Sequence, residues 1–382
     1  PLHRPTPSSH RADQPRSHFL HRRSLAAIVS VPSSHRRGMG RRIGSVQGRY
    51  EFIQVLGSGA FGRVQLARNL KDERLYAIKF IKKQEMIKMR HVVHVENERQ
   101  VLSALSDDGE DCPFIVNMLG YSKDARFLYI LMEYVPGGDL FRYIYKARKV
   151  AKSGAFDEER ARFYTAVLVA ALAHIHSKNI AHRDMKPENT MMCADGYLKL
   201  TDFGLAKFIG EGERTFTMCG TPEYIAPEVL QCQGHGPAVD WWSLGVMVYE
   251  FVTGVPPFAD QDIMGIYKRI LKGQVYFPRY FGDDAKSFVK RLLTPDLSQR
   301  FGNLLNGADD LKQHEWFQEP RHQDLDVMDF GRLLRRKVPA PFLPTLQKGL
   351  ADLPGDTALG EEDLAVPRVA PADDPFCEWY SA

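Results

Sequence analysis

The chain contains the run His182-Arg183-Asp184-Met185-Lys186-Pro187-Glu188-Asn189, and Asp202-Phe203-Gly204 follows at the end of a short alternating segment. This run brings carboxylic acids, an amide and an ammonium group close together. Carboxylate and amide oxygens are the ligands that Mg²⁺, a hard cation, prefers in proteins. A carboxylate such as Asp184 can also accept a proton from an attacking hydroxyl group. The run therefore makes the chain a candidate enzyme.

A glycine-rich loop precedes this run. Residues 57–62 read Gly-Ser-Gly-Ala-Phe-Gly between two predicted strands, and glycines let a backbone fold closely over phosphates. The pattern alone is also typical of an ordinary turn, but the strand that follows it argues against a strand-to-helix dinucleotide site. In the next predicted strand, the period of two places Ala77 and Lys79 on one face. Glu98, on the helix predicted after it, is the natural ion-pair partner of Lys79, although each taken singly is typical of a solvated charge.

The predicted secondary structure changes along the chain. Alternating apolar and polar residues predict three strands, which are Tyr50–Leu56, Gly62–Asn69 and Leu75–Ile81. One helix is predicted over Val92–Leu105. From Pro136 onward helical periodicity dominates, and Asp157 is the expected N-cap of a long helix. We therefore predict an α+β protein with a small β-rich lobe and a larger α-rich lobe that meet near residues 132–138.

Composition limits the class of protein. The chain has 382 residues, of which 44% are apolar, as is ordinary for a globular protein with room for more than one domain. The longest apolar run lies within residues 166–175, which include His174, and is well short of the ~20 residues that cross a bilayer, so no transmembrane helix is expected. The five cysteines are odd in number and never spaced as CxxC, which argues against a disulfide framework and a zinc site. We expect a reducing, intracellular compartment.

Oppositely charged tails flank the middle of the chain. Residues 1–48 hold nine arginines against one acid, whereas residues 350–382 hold eight acids against one arginine. The basic arm has no hydrophobic period, so we expect it to be disordered. A solvated tail is the first interpretation, and an organelle transit peptide or a patch for an anionic surface are the alternatives. Nucleic acid binding is disfavoured, because Phe19 is the only aromatic residue among these arginines.

Motifs after residue 202 make a family resemblance specific. The run Thr217-Met218-Cys219-Gly220-Thr221-Pro222-Glu223-Tyr224 leads to Ala226-Pro227-Glu228, and His314-Glu315-Trp316-Phe317 comes later. Together with the glycine loop, Lys79, Glu98 and the run at 182–189, this order resembles the AGC group of protein kinases, and within it the catalytic subunits of cyclic-AMP-dependent protein kinase. The resemblance is close over residues 50–317 and looser in the tail. It implies the bilobal protein kinase fold and transfer of the ATP γ-phosphate to serine or threonine.

The resemblance implies a role for each motif residue. Asp184 would act as the base or hydroxyl-orienting group, Lys186 as an electrostatic stabiliser, and Thr221 would bridge the two. Asn189 and Asp202 would hold Mg²⁺, so ATP with Mg²⁺ is the implied cofactor. The implied ATP-binding residues are Leu56, Gly57, Ser58, Gly59, Ala60, Phe61, Gly62, Arg63, Val64, Ala77, Lys79, Glu98, Glu133 and Val135.

The resemblance also implies regulation and substrate preference. Thr217 would be phosphorylated in the activation loop, and His94, Arg183 and Lys207 would clamp its phosphate. The acids that would bind arginines two and three residues before the target are Asp139, Glu188, Glu223 and Glu250. Arg-Arg-x-Ser/Thr sites are therefore expected. Buried support would come from Asp240, which would brace the catalytic loop, and from an ion pair of Glu228 with Arg300.

The tail departs from the family pattern. Leu359-Gly360 stands where the family has an adenine-capping phenylalanine, whereas Phe376 and Trp379 resemble the aromatic pair that docks into the small lobe. The implied domains are a disordered basic arm (1–48), an ATP-binding lobe (50–134), a catalytic and substrate-docking lobe (135–317) and an AGC-type tail (318–382).

Two alternative classes of protein are a pseudokinase scaffold and a cyclic-GMP-dependent kinase. A pseudokinase scaffold would be expected to lack Lys79, Asp184 or Asp202, and all three are present. A cyclic-GMP-dependent kinase would carry its nucleotide-sensing domains on the same chain, whereas only the basic arm precedes these motifs. We therefore expect a separate inhibitory subunit that binds cyclic nucleotide, with another AGC kinase as the alternative. We expect no nucleic acid partner and a cytoplasmic location, with the nucleus left open.

Overall fold

The structure is a computed structural model. It describes residues 45–59, 61–106, 112–151, 153–318, 326–347, 349–350, 353–377 and 379. The predicted disordered arm lies outside the described residues except for residues 45–48, and Ala60 of the glycine loop lies outside them as well. Within residues 45–48, Val46 is buried with the apolar residues of the β-sheet. No helix in the described part of the chain combines the length and the apolar character needed to cross a bilayer.

An antiparallel sheet forms the first lobe. Its strands are β1 (Tyr50–Gly59), β2 (Gly62–Asn69), β3 (Leu75–Lys82), β4 (Met118–Lys123) and β5 (Phe127–Glu133), in the spatial order β1-β2-β3-β5-β4. Short connections can join antiparallel neighbours without a crossover, which is why the consecutive strands β1, β2 and β3 lie side by side. Gly59 lies opposite Gly62 where β1 turns into β2. The predicted strands are present: β2 coincides with its prediction, whereas β1 extends three residues and β3 one residue further than predicted.

Aromatic residues fill one face of the sheet. Phe80 of β3 contacts Phe52 and Tyr129 edge to face, with ring centroids 5.4 and 5.1 Å apart. Because side chains alternate along a strand, Lys79 points to the opposite face. Leu359, at the position of the missing adenine-capping phenylalanine, is buried in the same aromatic cluster.

Helices α1 (Lys83–Lys88) and α2 (Val92–Ser106) complete this N-lobe. The predicted helix Val92–Leu105 coincides with α2 within one residue. Val95, Glu98 and Leu102 on α2 are buried at spacings of three and four residues, so Glu98 faces the protein interior with the apolar residues.

Helices dominate the C-lobe. They are α3 (Leu140–Val150), α4 (Glu158–Ser177), α5 (Pro227–Leu230), α6 (Ala238–Thr253), α7 (Ile263–Lys272), α8 (Asp283–Leu292), α9 (Ala308–Lys312) and α10 (Glu315–Gln318). Helix α4 begins where predicted, since the Asp157 carboxylate accepts a hydrogen bond from the Arg160 N–H at 2.9 Å. Helix α6 is buried along its whole length and forms the centre of the lobe.

Short strands hold the motif residues at the boundary of the lobes. They are β6 (Ile180–Ala181), β7 (Thr190–Met192), β8 (Leu198–Leu200) and β9 (Lys207–Phe208), paired as β6 with β9 and β7 with β8. Single turns of 3₁₀-helix lie at Pro187–Asn189 and Pro222–Tyr224. Residues 182–189 connect β6 to β7, and Asp202 follows β8. The pairing of β7 with β8 therefore brings the two parts of the opening motif together.

The tail first packs against α4 of the C-lobe and then runs back over the N-lobe. It contains α11 (Phe330–Leu334), α12 (Glu361–Leu364) and a 3₁₀ turn at Pro371–Asp373. Asp363 of α12 pairs with both terminal nitrogens of Arg63 at 2.5 and 2.6 Å. Asp374 accepts hydrogen bonds from the buried Lys83 and from Lys123 at 2.8 and 2.9 Å.

The last aromatic residues of the tail are buried. Phe376 is 2% exposed, and Trp379 is fully enclosed. The Trp379 ring contacts Tyr121 of β4 edge to face at 5.7 Å, and its Nε1 donates a hydrogen bond to Glu96 of α2 at 2.7 Å. The aromatic pair is thus docked between the sheet and α2, which is the helix that carries Glu98.

Candidate active site

Asp240, near the start of α6, holds the loop of residues 182–189, which we name the catalytic loop. The Asp240 carboxylate is fully buried and accepts hydrogen bonds from the backbone N–H groups of His182 and Arg183, both at 2.8 Å. His176 Nε2 lies 2.8 Å from the same carboxylate. Arg183 has a φ of 67°, a left-handed conformation that is unfavourable for a non-glycine residue and that these bonds stabilise. The core of the C-lobe therefore preorganises the loop.

Asp184 lies at the centre of a network of donors. Its Oδ1 accepts hydrogen bonds from Thr221 Oγ1 at 2.8 Å and from the Thr221 N–H at 3.1 Å. Its Oδ2 accepts from Lys186 Nζ at 2.8 Å and from Asn189 Nδ2 at 2.9 Å. Lys186 Nζ also donates to Thr221 Oγ1 at 2.8 Å. The predicted catalytic residues are therefore in direct contact, and the Asp184 carboxylate is held in one orientation.

Lys79 lies between two carboxylates from different lobes. Its Nζ is 2.5 Å from Glu98 Oε1 and 3.2 Å from Asp202 Oδ1. Burial acts to lower the pKa of Lys79, but the charges of Asp202 and Glu98 outweigh burial and raise the pKa, so the amine stays protonated. The Lys79 ammonium in turn lowers the pKa of Asp202 to about 2. Asp202 is therefore ionised at neutral pH and placed beside a cation that can bind phosphate.

The glycine loop leaves open space for a ligand. A Cβ at Gly57 or Gly59 would meet no atom within 4 Å, and Ser58 between them is exposed. At Gly62, in contrast, a Cβ would lie 1.8 Å from the Phe80 carbonyl oxygen, so no larger residue fits without displacing β3. Phe61 is 39% exposed. Arg63 follows the loop, but its guanidinium is engaged by Asp363 of the tail, so its side chain does not face the loop.

The predicted adenine contacts lie where the lobes join. Glu133 ends β5, and Val135 after it is buried. The Glu133 carboxylate pairs with Lys199 of β8 and accepts a hydrogen bond from the Asn117 N–H at 2.7 Å. The Glu133 side chain therefore ties the junction to the C-lobe, and its backbone N–H donates to the Asn117 carbonyl oxygen at 3.1 Å. The apolar positions Leu56, Val64 and Ala77 lie on β1, β2 and β3 respectively.

The segment before Thr217 is tied to the C-lobe. Thr215 exchanges backbone hydrogen bonds with His235 at 2.9 and 2.8 Å, and its hydroxyl group accepts a hydrogen bond from Lys207 Nζ at 3.1 Å. Thr217, two residues later, is exposed. The predicted phosphosite is thus accessible, and it follows a segment that the Thr215–His235 bridge ties to the C-lobe.

The predicted clamp residues form one basic cluster. Burial lowers the pKa of His94, and the charges of neighbouring His91, Arg183 and Lys207 lower it further. Arg183 Nε donates to the Leu205 carbonyl oxygen at 2.7 Å, whereas its Nη1 is buried without a hydrogen-bond partner in the described part of the chain. The cluster therefore has positive charge and donor capacity to spare.

Acidic side chains gather around Tyr224. The Tyr224 hydroxyl group donates to Glu250 Oε2 at 2.5 Å. Burial raises the pKa of Glu250 to about 7, and the charges of Glu188 and Glu223 act in the same direction. Burial also raises the pKa of Glu188, with the charge of Asp139 contributing. Glu250 is therefore close enough to Glu188 and Glu223, and Glu188 to Asp139, for their charges to repel, and a cationic partner would relieve that repulsion.

Asn189 and Asp202 fit an ion such as Mg²⁺ that is bound together with phosphates. Asn189 Nδ2 donates to the backbone and side-chain oxygens of Asp184, both at 2.9 Å, which leaves the amide oxygen available as a ligand. Asp202 supplies an ionised carboxylate. Across the described ranges there is no cluster of three or more His, Cys, Asp or Glu side chains that could hold a metal. Mg²⁺ usually takes only one or two protein carboxylates and completes its shell with phosphates and water.

Sequence reasoning missed several contacts of these residues. Arg142 Nε lies 2.7 Å from Asp139 Oδ2, and the spacing of three residues on a helix could have revealed this pair. The pairing of Thr215 with His235 joins residues distant in sequence, so no local pattern signals it.

Comparison with known proteins agrees with this geometry. A family model described as the protein kinase domain matches residues 50–317. The chain is 43% identical over 298 residues to the cAMP-dependent protein kinase catalytic subunit of Dictyostelium discoideum, covering 78% of this chain and 43% of that protein. It is 41% identical over 297 residues to the Homo sapiens catalytic subunit PRKX, covering 78% and 77% of the two chains. It is 40% identical over 303 residues to cAMP-dependent protein kinase type 3 of Saccharomyces cerevisiae, covering 79% and 71%. The chain thus spans less than half of the Dictyostelium protein.

The family match spans the sheet of the N-lobe and the helices of the C-lobe, so the predicted α+β bilobal kinase fold is confirmed. Kinases of this type use ATP and Mg²⁺, which the Lys79, Asn189 and Asp202 side chains suit. The chain belongs to the protein kinase family and is a serine/threonine kinase of the AGC group, of the cAMP-dependent catalytic subunit type.

Proposed function

We propose that this kinase phosphorylates serine or threonine in sites with upstream arginines, of the form Arg-Arg-x-Ser/Thr. The observation that carries the proposal is the acidic group around Tyr224, in which burial and the charges of Glu188 and Glu223 raise the pKa of Glu250 to about 7. A substrate guanidinium would relieve this repulsion. Each charge-assisted hydrogen bond that it forms would contribute about 1.5–3 kcal/mol.

The contacts of Asp184 support a role in orienting the substrate hydroxyl group and accepting its proton. Lys186 would stabilise the negative charge of the phosphoryl group in transit, and Lys79, held by Glu98, would bind the nonreacting phosphates. Mg-ATP supplies the phosphoryl group. Most of the rate enhancement would come from positioning and electrostatics, because phosphoryl transfer has a loose transition state with little covalent work for the protein.

Glu250 makes substrate recognition depend on pH. A pKa of about 7 leaves the carboxylate mostly protonated at pH 6 and mostly ionised at pH 8. An arginine side chain gains an ion pair only with the ionised form. We therefore expect kcat/KM for an arginine-bearing peptide to rise about tenfold from pH 6 to pH 8, as measured by steady-state kinetics at constant ionic strength.

Two controls isolate this titration. Glu250→Gln should flatten the pH profile, and a peptide with alanine in place of its arginines should show little of the rise with the wild-type enzyme. If Glu250→Gln keeps the full rise, another group titrates and Glu250 has no part in binding the arginine.

We also propose that a phosphate on Thr217 completes the active enzyme. Thr217 is exposed two residues after Thr215, whose hydroxyl group accepts a hydrogen bond from Lys207, and the buried Arg183 Nη1 of the same basic cluster has unused donor capacity. A phosphate there would add nearly two negative charges and order the segment. Mass spectrometry of the active enzyme should find Thr217 phosphorylated, and full activity of an unphosphorylated sample would argue against this step.

A separate regulatory subunit that binds cyclic AMP is the partner we propose. The support is the name of the relatives and an apolar surface next to the acidic group. Phe216 and Met218 before the Pro222–Tyr224 turn, and Ile263 and Met264 of α7, which contacts that turn, are each at least 50% exposed. Contiguous exposed apolar side chains often mark a surface that binds another protein.

Titration with a purified regulatory subunit of a cAMP-dependent kinase tests this partner. We expect inhibition of peptide phosphorylation that cyclic AMP reverses. Met264→Ser should weaken inhibition, whereas Leu305→Ser, which changes a fully exposed leucine before α9, should not. Full activity at every concentration of regulatory subunit would favour an AGC kinase with another form of control.

A further inference from the structure

Asp139 is engaged by a residue of its own helix. It is the N-cap of α3, and its Oδ1 accepts a hydrogen bond from the Arg142 N–H at 3.0 Å. Its Oδ2 lies 2.7 Å from Arg142 Nε. One residue therefore contacts both carboxylate oxygens. The Arg142 guanidinium occupies a place that a substrate guanidinium would need.

The backbone around Asp139 is fixed beside the catalytic loop. The Gly137 N–H donates to the Met192 carbonyl oxygen at 2.9 Å, and the Met192 N–H donates to the Gly138 carbonyl oxygen at 2.8 Å. Asp139 also forms an isolated antiparallel bridge with Met191. Because β7 follows the catalytic loop directly, Asp139 cannot move away to meet an arginine elsewhere. Any competition between guanidinium groups must take place at this position.

The pair is exposed enough to exchange partners. The Arg142 side chain is 68% exposed and the Asp139 side chain 21%, so a peptide can reach the carboxylate while Arg142 moves into solvent. Exposed ion pairs at this helix spacing are weak. Displacement of Arg142 should therefore reduce the benefit of a substrate arginine several-fold without abolishing it.

We infer that Arg142 is a specificity-determining residue that competes with one upstream substrate arginine for Asp139. This inference rests on the proposed preference for basic sites. Glu250 accepts a hydrogen bond from the Tyr224 hydroxyl group and does not pair with Arg142. The gain in kcat/KM from the other substrate arginine should therefore not be reduced. The enzyme consequently discriminates less sharply at one arginine position than at the other.

A set of peptides tests the competition. The ratio of kcat/KM for Arg-Arg-Ala-Ser-Leu to that for Ala-Arg-Ala-Ser-Leu, and to that for Arg-Ala-Ala-Ser-Leu, gives the effect of each arginine. Asp139→Asn identifies the arginine that Asp139 binds, because that ratio should fall towards one. Arg142→Gln should raise the same ratio by about 2–5-fold and leave the other ratio unchanged. Lys146→Gln removes one positive charge from another exposed position of α3 and should change neither ratio.

The outcomes separate the inference from the function beneath it. If the wild-type enzyme shows no preference for either arginine, the proposed function fails and the inference fails with it. If the preference is present but Arg142→Gln leaves both ratios unchanged, lowers one, or raises both, only the inference is wrong; the same holds if Lys146→Gln raises the ratios as much as Arg142→Gln. An unaltered pair of ratios in Asp139→Asn would also overturn it, because Asp139 would then not bind an arginine.

Discussion

Replacing Asp184 with asparagine is expected to lower kcat for peptide phosphorylation by about 10²–10⁴-fold while the protein stays folded. The amide cannot accept a proton, and it turns an N–H group towards either Thr221 Oγ1 or Lys186 Nζ, which both now donate to the carboxylate at 2.8 Å. ATP affinity should remain within a few-fold of the wild-type value, because Lys79 and Asp202 keep their contacts. Single-turnover kinetics and a separate ATP-binding measurement give the two quantities.

The matched control is Asp309→Asn. The Asp309 side chain is 61% exposed. In the described part of the chain it pairs only with Lys312, on the same helix α9. Loss of its charge should therefore leave kcat unchanged. Thermal unfolding of both variants shows whether a loss of activity is chemical. Wild-type turnover by Asp184→Asn would contradict the role assigned to Asp184.

Replacing Arg300 with methionine is expected to lower the free energy of unfolding by about 3–5 kcal/mol. Arg300 is fully buried and donates to both carboxylate oxygens of Glu228 at 2.6 and 2.9 Å. Its Nε donates to the Thr294 carbonyl oxygen at 2.9 Å, and the guanidinium lies over the Trp242 ring at 5.2 Å. The methionine leaves the Glu228 carboxylate buried without its counter-charge. Denaturant unfolding measures the difference.

A double replacement and a surface control sharpen this test. Removing both charges with Arg300→Met and Glu228→Met should recover part of the lost stability, because no unpaired charge then remains in the interior. Lys312→Met breaks the exposed pair with Asp309 and should cost no more than about 1 kcal/mol. If Arg300→Met costs as little as Lys312→Met, the buried pair does not stabilise the C-lobe.

Local patterns in the sequence predict much of the fold. The alternation over Leu75–Ile81 predicts β3, and the Asp157 cap predicts the start of α4, because both depend on residues close together in the chain. The catalytic loop can likewise be recognised, since Asp184, Lys186 and Asn189 lie within one short run. Their contacts with one another follow from that proximity.

Contacts between distant residues escape such patterns. The pair of Arg63 with Asp363 joins β2, directly after the glycine loop, to the tail across most of the chain, and Val46, which lies within the arm predicted over residues 1–48, packs with the sheet. No periodicity or residue spacing in the sequence predicts either contact. The ion pair of Asp139 with Arg142 is local in sequence. Only the structure shows that Asp139 lies beside β7, next to the catalytic loop, where Arg142 can compete with a substrate arginine.

Transfer of radiolabelled phosphate from Mg-ATP by the Thr217-phosphorylated enzyme is the most direct test of the proposed function. The substrates are Arg-Arg-Ala-Ser-Leu and the same peptide with both arginines replaced by alanine. We expect labelled serine in the first peptide and a kcat/KM about 10²-fold higher than for the second, from two charge-assisted contacts with the acidic group. Equal kcat/KM values for the two peptides, or no transfer to either, would contradict the proposed function.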